Sequence, residues 1–254
     1  MLHYFRRHPV PIEAHFRQCL VLTYAFPETV LAPLLPPGLS LDTYEGLGFL
    51  AVALVQTEAL RPAGAPRAVG QDFFLTGYRI FARFTTQAGR RLRGLRILRS
   101  DTDKELMVIA GNLLTHYHYA KCEVEVDERG GRLAVKITTP RGEADLDVVA
   151  DLAGKPAPLP VGSPFPDLRT ARRFAGPLPF TFDYERETHS IVRIEGVRSR
   201  WDPQPVAVEV RRCTFLERAS FASAKPILAN AFHLQDVPYR WERGIVEPLG
   251  ADVR

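Results

Sequence analysis

Lys121-Cys-Glu-Val-Glu-Val-Asp-Glu-Arg-Gly-Gly-Arg-Leu-Ala-Val-Lys-Ile-Thr-Thr-Pro-Arg-Gly-Glu-Ala-Asp-Leu-Asp-Val-Val149 reads as three short strands joined by two turns. Residues 121–126, 132–139 and 143–149 each alternate polar with apolar side chains, the period of a strand with one wet face. Arg129-Gly-Gly and Pro140-Arg-Gly interrupt them as turns. This spacing predicts an antiparallel meander and sets the class as β-rich.

The rest of the chain keeps the same habit. Upstream, residues 18–26, 39–44, 48–59, 72–86 and 91–98 read as strands, rich in Val, Leu, Phe, Tyr and Thr. Glu28–Leu35 reads as a short helix stopped by Pro36-Pro37-Gly38. Ser100-Asp-Thr-Asp103 offers a helix N-cap, so a helix is expected near Lys104. Leu106–Ala110 fits strand or helix, and residues 111–119 could extend a helix. Downstream, residues 153–179 form a long Pro- and Gly-rich loop with a short helix at Leu168–Phe174. Residues 188–198 and 206–213 read as strands, Phe221–Phe232 as a helix, and the tail after Pro248 as loose. About ten strands and a few short helices, without a repeat or a domain boundary, give a single β-rich α+β domain over residues 1–254.

Composition sets limits on partners. The chain has 254 residues, 33 basic against 29 acidic, for a net charge of +4. That is short of the field expected of a nucleic-acid binder, so no nucleic-acid partner is expected. Of the basic residues only five are lysines, at 104, 121, 136, 155 and 225. The three cysteines are widely spaced, which argues against a disulfide framework or zinc ribbon. No signal-peptide pattern opens the chain, and its longest apolar run is too short to span a bilayer. The expectation is a cytoplasmic protein with no membrane partner, for which a homo-oligomer remains open.

Titratable groups concentrate just before the meander, in Thr115-His-Tyr-His-Tyr-Ala-Lys121. On a strand, His116 and His118 would face one side, a geometry suited to a metal given a third ligand; the alternative is polar pocket or surface histidines. Lys121, if buried, could lose its proton and attack a carbonyl as an imine former; otherwise it reaches solvent from a strand edge. Arg79 sits in the apolar run Tyr78-Arg-Ile-Phe81, where it could anchor a carboxylate or pair with an internal acid. The series Arg83, Arg90, Arg91, Arg93, Arg96 and Arg99 lacks interleaved aromatics and reads as a solvated hairpin face. Tyr24 closes a buried strand and is core or pocket. No phosphate loop, nucleophile elbow or carboxylate pair is present in the sequence, and no cofactor or metal is expected.

Leu22-Thr-Tyr-Ala-Phe-Pro-Glu-Thr-Val-Leu-Ala-Pro-Leu-Leu-Pro-Pro-Gly-Leu-Ser-Leu-Asp42 resembles the N-terminal signature of the acetoacetate decarboxylase-like superfamily. Tyr44–Val55 looks most like its YqjF-like branch, and Asp103–Leu114 resembles the segment that leads to the decarboxylases' lysines. The resemblance implies a cone-shaped, mostly antiparallel β-barrel with a few peripheral helices around a small-molecule cavity. It also implies chemistry by adjacent lysines, one forming a Schiff base and the other lowering its pKa, an effect already established for those decarboxylases. Here that pair falls on Tyr117 and His118, or on Tyr119 and Ala120, according to register. The assisting arginine falls near Ala25 and the glutamate near Leu75. Thr23 stands where the branch often has His, and Arg79 fits an arginine expected in that branch.

These readings together predict a barrel that binds a small anionic or carbonyl-bearing molecule, without the lysine pair. Arg79, Tyr117, Tyr119 and Tyr24 are the candidate ligand-binding residues. The alternative is a lyase or hydratase-type enzyme on an oxo acid, with Lys121, His118 or His116 as catalytic groups.

Overall fold

The computed structural model describes residues 2–154, 156–176 and 178–250. The strands, in chain order, are β1 (Ile12–Pro27), β2 (Leu39–Leu41), β3 (Leu47–Pro62), β4 (Gln71–Thr85), β5 (Arg91–Thr102), β6 (Tyr119–Lys121), β7 (Glu123–Arg129), β8 (Arg132–Thr138), β9 (Leu146–Asp151), β10 (Phe180–Glu185), β11 (Ser190–Arg198), β12 (Gln204–Pro205), β13 (Ala207–Cys213), β14 (Ile227–Trp241) and β15 (Ile245–Pro248). The helices are α1 (Glu28–Leu31), α2 (Glu105–Leu114), α3 (Leu168–Phe174) and α4 (Ala219–Ala222). None of them is long and apolar enough to cross a membrane.

The larger sheet runs β14-β1-β3-β4-β5-β10-β11 and returns to β14, forming a sheet ring. Its long walls are antiparallel, but two pairings made by β5, with β10 and with β6, are parallel. One seam is the two-residue contact of β10 with β5; the other pairs Gly196–Arg198 with Tyr239–Trp241. The first seam depends on Gly94. A Cβ there would stand 2.5 Å from the Phe180 carbonyl oxygen and 2.6 Å from the Phe182 ring. The meander forms a separate four-stranded sheet, ordered β13-β9-β8-β7. Cys122 is the switch point: β6 before it joins the ring, and β7 after it joins the meander.

Strand parity sorts the apolar side chains into two bodies. Leu20, Leu22, Tyr24 and Phe26 on β1, Leu50, Val52 and Leu54 on β3, and Tyr78 and Ile80 on β4 pack against Leu133, Val135, Ile137, Leu146 and Val148 of the meander. The alternate residues form a second cluster on the ring's inner face, among them Cys19, Val21, Ala51, Ala53, Leu75 and Phe81. A register shift between Phe16 and Gln18 is what puts Phe16 and Cys19 on the same face despite their spacing.

Several elements differ from expectation. Residues 221–232 are not a helix: α4 is one turn, and β14 pairs along β1. The pairing shifts register between Thr23 and Tyr24, opposite Asn230 and Leu228. That irregularity breaks the alternation and gives the apolar residues a helix-like spacing. β5 runs on to Thr102, through the expected cap, and Lys104 starts α2 with no side-chain cap. Asp103 instead accepts a hydrogen bond from Phe74 N at 2.8 Å. β10 was not legible as a strand. Most of the tail expected to be loose lies outside the described residues.

Candidate functional site

A cavity of about 190 Å³ opens on the inner face of the ring, bounded by β1, β3, β4, β5, β14, α2 and by Ala175, Gly176 and Leu178. It exists because small side chains occupy inward positions. Ala51 and Ala53 on β3 line it where larger residues would fill it. Apart from two arginines and one histidine, the described lining is uncharged, with neither an acid nor a lysine.

Arg79 reaches the cavity from β4, paired with Ala51 on one side and Ile97 on the other. A Cβ on Gly77 would stand 2.7 Å from Arg79 Nε and 2.8 Å from Nη2, so a bare backbone lets the guanidinium lie along the strand. Among the described residues its buried Nε has no hydrogen-bond partner, and no carboxylate lies within 4.0 Å of the side chain. The second arginine, Arg198, is engaged. Its Nη2 donates to Leu178 O at 3.1 Å, and its guanidinium carbon lies 4.7 Å from the Trp201 ring centre and 5.3 Å from that of Tyr239.

Tyr117 and Tyr119 line the cavity. Asn112, on α2, holds Tyr119 by both backbone groups: Tyr119 N donates to Oδ1 at 2.8 Å, and Nδ2 donates to Tyr119 O at 2.9 Å. Thr115 Oγ1 bonds Gly111 O and receives Tyr117 N, fixing the bend between helix and strand. Burial pushes the Tyr119 phenol up to about 12, with Arg79 pulling it down in part. The Tyr117 phenol is raised further by burial and then by the charge of Asp183. Thr181 lowers it in part, yet among the described residues no group completes a hydrogen bond of ordinary geometry with the Tyr117 hydroxyl.

The remaining candidates lie elsewhere. Lys121 is exposed, and its Nζ donates to the Asp103 carbonyl instead of entering the cavity. His116 and His118 do not line the cavity either. The chain bends through them, and His118 has a positive φ of 54°, so they do not share one side of a strand. Burial holds the His116 imidazole down at about 4; the surrounding protein, with Arg96 and Arg6, also lowers His118, although its side chain is exposed. Among the described residues no three His, Cys, Asp or Glu side chains cluster as metal ligands. Tyr24 has the parity of the packed face and sits in the core beneath the meander, its phenol raised by burial.

The arginine series is not simply a solvated face. Arg83 and Arg93 both pair with buried Asp42, at 2.6 and 2.5 Å; Arg96 pairs with buried Asp183, and Arg99 with buried Asp101. The three cysteines are free and buried. Cys19 lines the cavity, but burial pushes its thiol up to about 12.

Sequence reasoning missed Arg198, His8, Trp201, Tyr239 and Trp241, all of which line the cavity. Arg198, Tyr239 and Trp241 arrive through the seam between β11 and β14, where Arg198 faces Tyr239 and Gly196 faces Trp241; Trp201 follows β11, and His8 precedes β1. That non-local pairing leaves no periodic mark. A usable signal was that the chain's only two tryptophans flank these strands.

Solved structures share this architecture at low identity. Acetoacetate decarboxylase from Legionella pneumophila aligns with a TM-score of 0.60 and 12% identity, over 94% of this chain and 87% of that one. The enduracididine biosynthesis enzyme MppR, complexed with pyruvate, gives 0.59 and 12%, over 94% and 90%. An acetoacetate decarboxylase-like enzyme from Sphingomonas wittichii RW1 gives 0.55 and 15%, over 96% and 93%. The fold is that of these acetoacetate decarboxylase-like enzymes. Residues 13–236 match the family DUF2071, uncharacterized conserved protein, and the chain belongs to that family. No curated protein matches the chain.

Proposed function

We propose that this protein binds a small organic anion in the ring cavity, with Arg79 as its anchor, and that it does so without forming an imine. The observation that carries this reading is the charge of the lining. Two guanidiniums enter a mostly apolar space that receives no carboxylate from the described residues. A half-buried guanidinium that keeps a buried, unpaired N–H gains from a counter-charge, and a carboxylate matches its donor geometry. That MppR has been solved with pyruvate, itself an anion, is consistent with such a ligand in this fold. Against an imine, no lysine among the described residues lines the cavity.

Trp201 and Trp241 both line the cavity, so ligand binding should alter intrinsic fluorescence. Titration with a panel of small 2-oxo acids and carboxylates should quench or shift emission saturably, while the matching neutral amides should not. Arg79→Met should weaken carboxylate binding at least tenfold. Amides that bind as well as their acids would overturn the anion reading. A borohydride-trapped adduct on any lysine would overturn the non-covalent one.

A further inference from the structure

We infer that the preferred ligand is a monocarboxylate with an apolar body the size of an aromatic ring; this deepens the anion-binding reading and rests on it. Three observations lead there. The first concerns the anchor. Of the two cavity guanidiniums, Arg198 is already held by the Leu178 carbonyl and by the faces of Trp201 and Tyr239, whereas Arg79 keeps a buried, unpaired Nε. One free anchor suits one carboxylate better than two.

The second concerns the walls. Phe16, Tyr239 and Trp241 form a continuous aromatic surface, with ring centres 4.7 Å apart for Phe16 and Tyr239 and 4.5 Å for Tyr239 and Trp241. All three line the cavity, together with aliphatic Val21, Val55 and Leu75. A compact hydrophilic acid would leave this surface uncovered, whereas an aryl group can stack on it. The third is size. An engineered apolar cavity of about 150 Å³ accommodates benzene. The present cavity, at about 190 Å³, has room for a ring and a carboxylate.

The test is calorimetric titration of the full chain with three probes: phenylacetate, acetate and phenylacetamide. Phenylacetate should bind at least tenfold more tightly than either of the others. Arg79→Met should bring phenylacetate down to the level of phenylacetamide. Val55→Phe, which intrudes on the ring's space from a position paired with Leu75, away from Gly77 and the guanidinium that lies over it, should weaken phenylacetate while sparing acetate; it carries the test if Arg79→Met does not fold. Acetate binding as tightly as phenylacetate would overturn the ring-sized body and leave the anion reading standing. Phenylacetamide matching phenylacetate would overturn both. No heat with any probe would overturn the inference about the ring, and the oxo-acid titration would then decide the anion reading separately.

Discussion

The two faces of β1, β3 and β4 are built from neighbouring residues of the same strands, yet one is packed solid and the other is hollow. Toward the meander, Leu22, Phe26, Val52, Tyr78 and Ile80 are fully buried, and Tyr78 stacks on Phe215 with ring centres 4.0 Å apart. Toward the ring interior, the alternate positions carry Ala51, Ala53 and Arg79 and leave a cavity. Large side chains on one face hold the sheets together; small ones on the other give up packing to make room. The largest expected effect follows directly. Phe26→Ala, which removes a ring packed beside Phe221, should cost about 3–5 kcal/mol in denaturant unfolding. Ala53→Leu, on the hollow face, should change stability by less than about 1.5 kcal/mol. Equal losses would mean that the inner face is packed as tightly as the outer one.

The hollow face also holds polar groups in unusual states. His8 is 3% exposed, lines the cavity and has a buried Nδ1 without a partner. Burial lowers its imidazole to about 4, against a smaller opposing pull from backbone groups. As the pH falls from about 6.5, the unfolded chain takes up a proton that the folded chain refuses until about 4. Stability is therefore complete above that window and falls through it on acidification, by roughly 3 kcal/mol for a displacement of this size. Half-buried His116 shifts in the same direction. Unfolding free energies of wild type and His8→Gln, followed from pH 7 to pH 4, should converge as the pH drops. Parallel curves would remove His8 from the account.

The arginines repeat the contrast in charge. Asp42, with no exposed side-chain surface, receives Arg83 and Arg93 on separate oxygens, while Arg79 receives no acid from the described residues. Asp42→Ala should cost about 1.5–3 kcal/mol, the range for hydrogen bonds to charged groups, because both guanidiniums are half-exposed and can turn to water. Arg79→Met should cost less than this in stability and show its effect in binding instead. If Arg79→Met proves the more destabilising of the two, the cavity arginine is a structural group.

How much of this was legible depended on how local the signal was. The meander was readable because the period of two survives in adjacent residues, and β3 and β4 because their strand-forming composition is carried by adjacent residues. Arg79 stood out for the same reason, as a charge at an inward position of an apolar strand. The seam between β11 and β14 was not readable, and with it went Arg198 and the aromatic wall. The Thr23–Tyr24 irregularity disguised β14 as a helix. The cluster His116 to Lys121 misled in a different way. It supplies Tyr117 and Tyr119 to the cavity, but the bend at His118 turns both imidazoles and the lysine elsewhere.

Lys121 gives the smallest effect and the sharpest check on the difference between faces. It follows Tyr119 by two positions on β6, yet it reaches solvent and bonds the Asp103 carbonyl, next to the junction where the chain leaves the ring. Tyr119 and Lys121 share one parity on β6, facing Ser100 and Thr102 of β5, but the cavity lining includes Ser100 and Tyr119 and stops short of Thr102 and Lys121. Lys121→Met should therefore leave stability within about 0.5 kcal/mol and leave carboxylate affinity unchanged. Loss of binding in this variant, with Arg79→Met unaffected, would mean that the two residues have exchanged roles and that the ligand sits against the outer edge of β6.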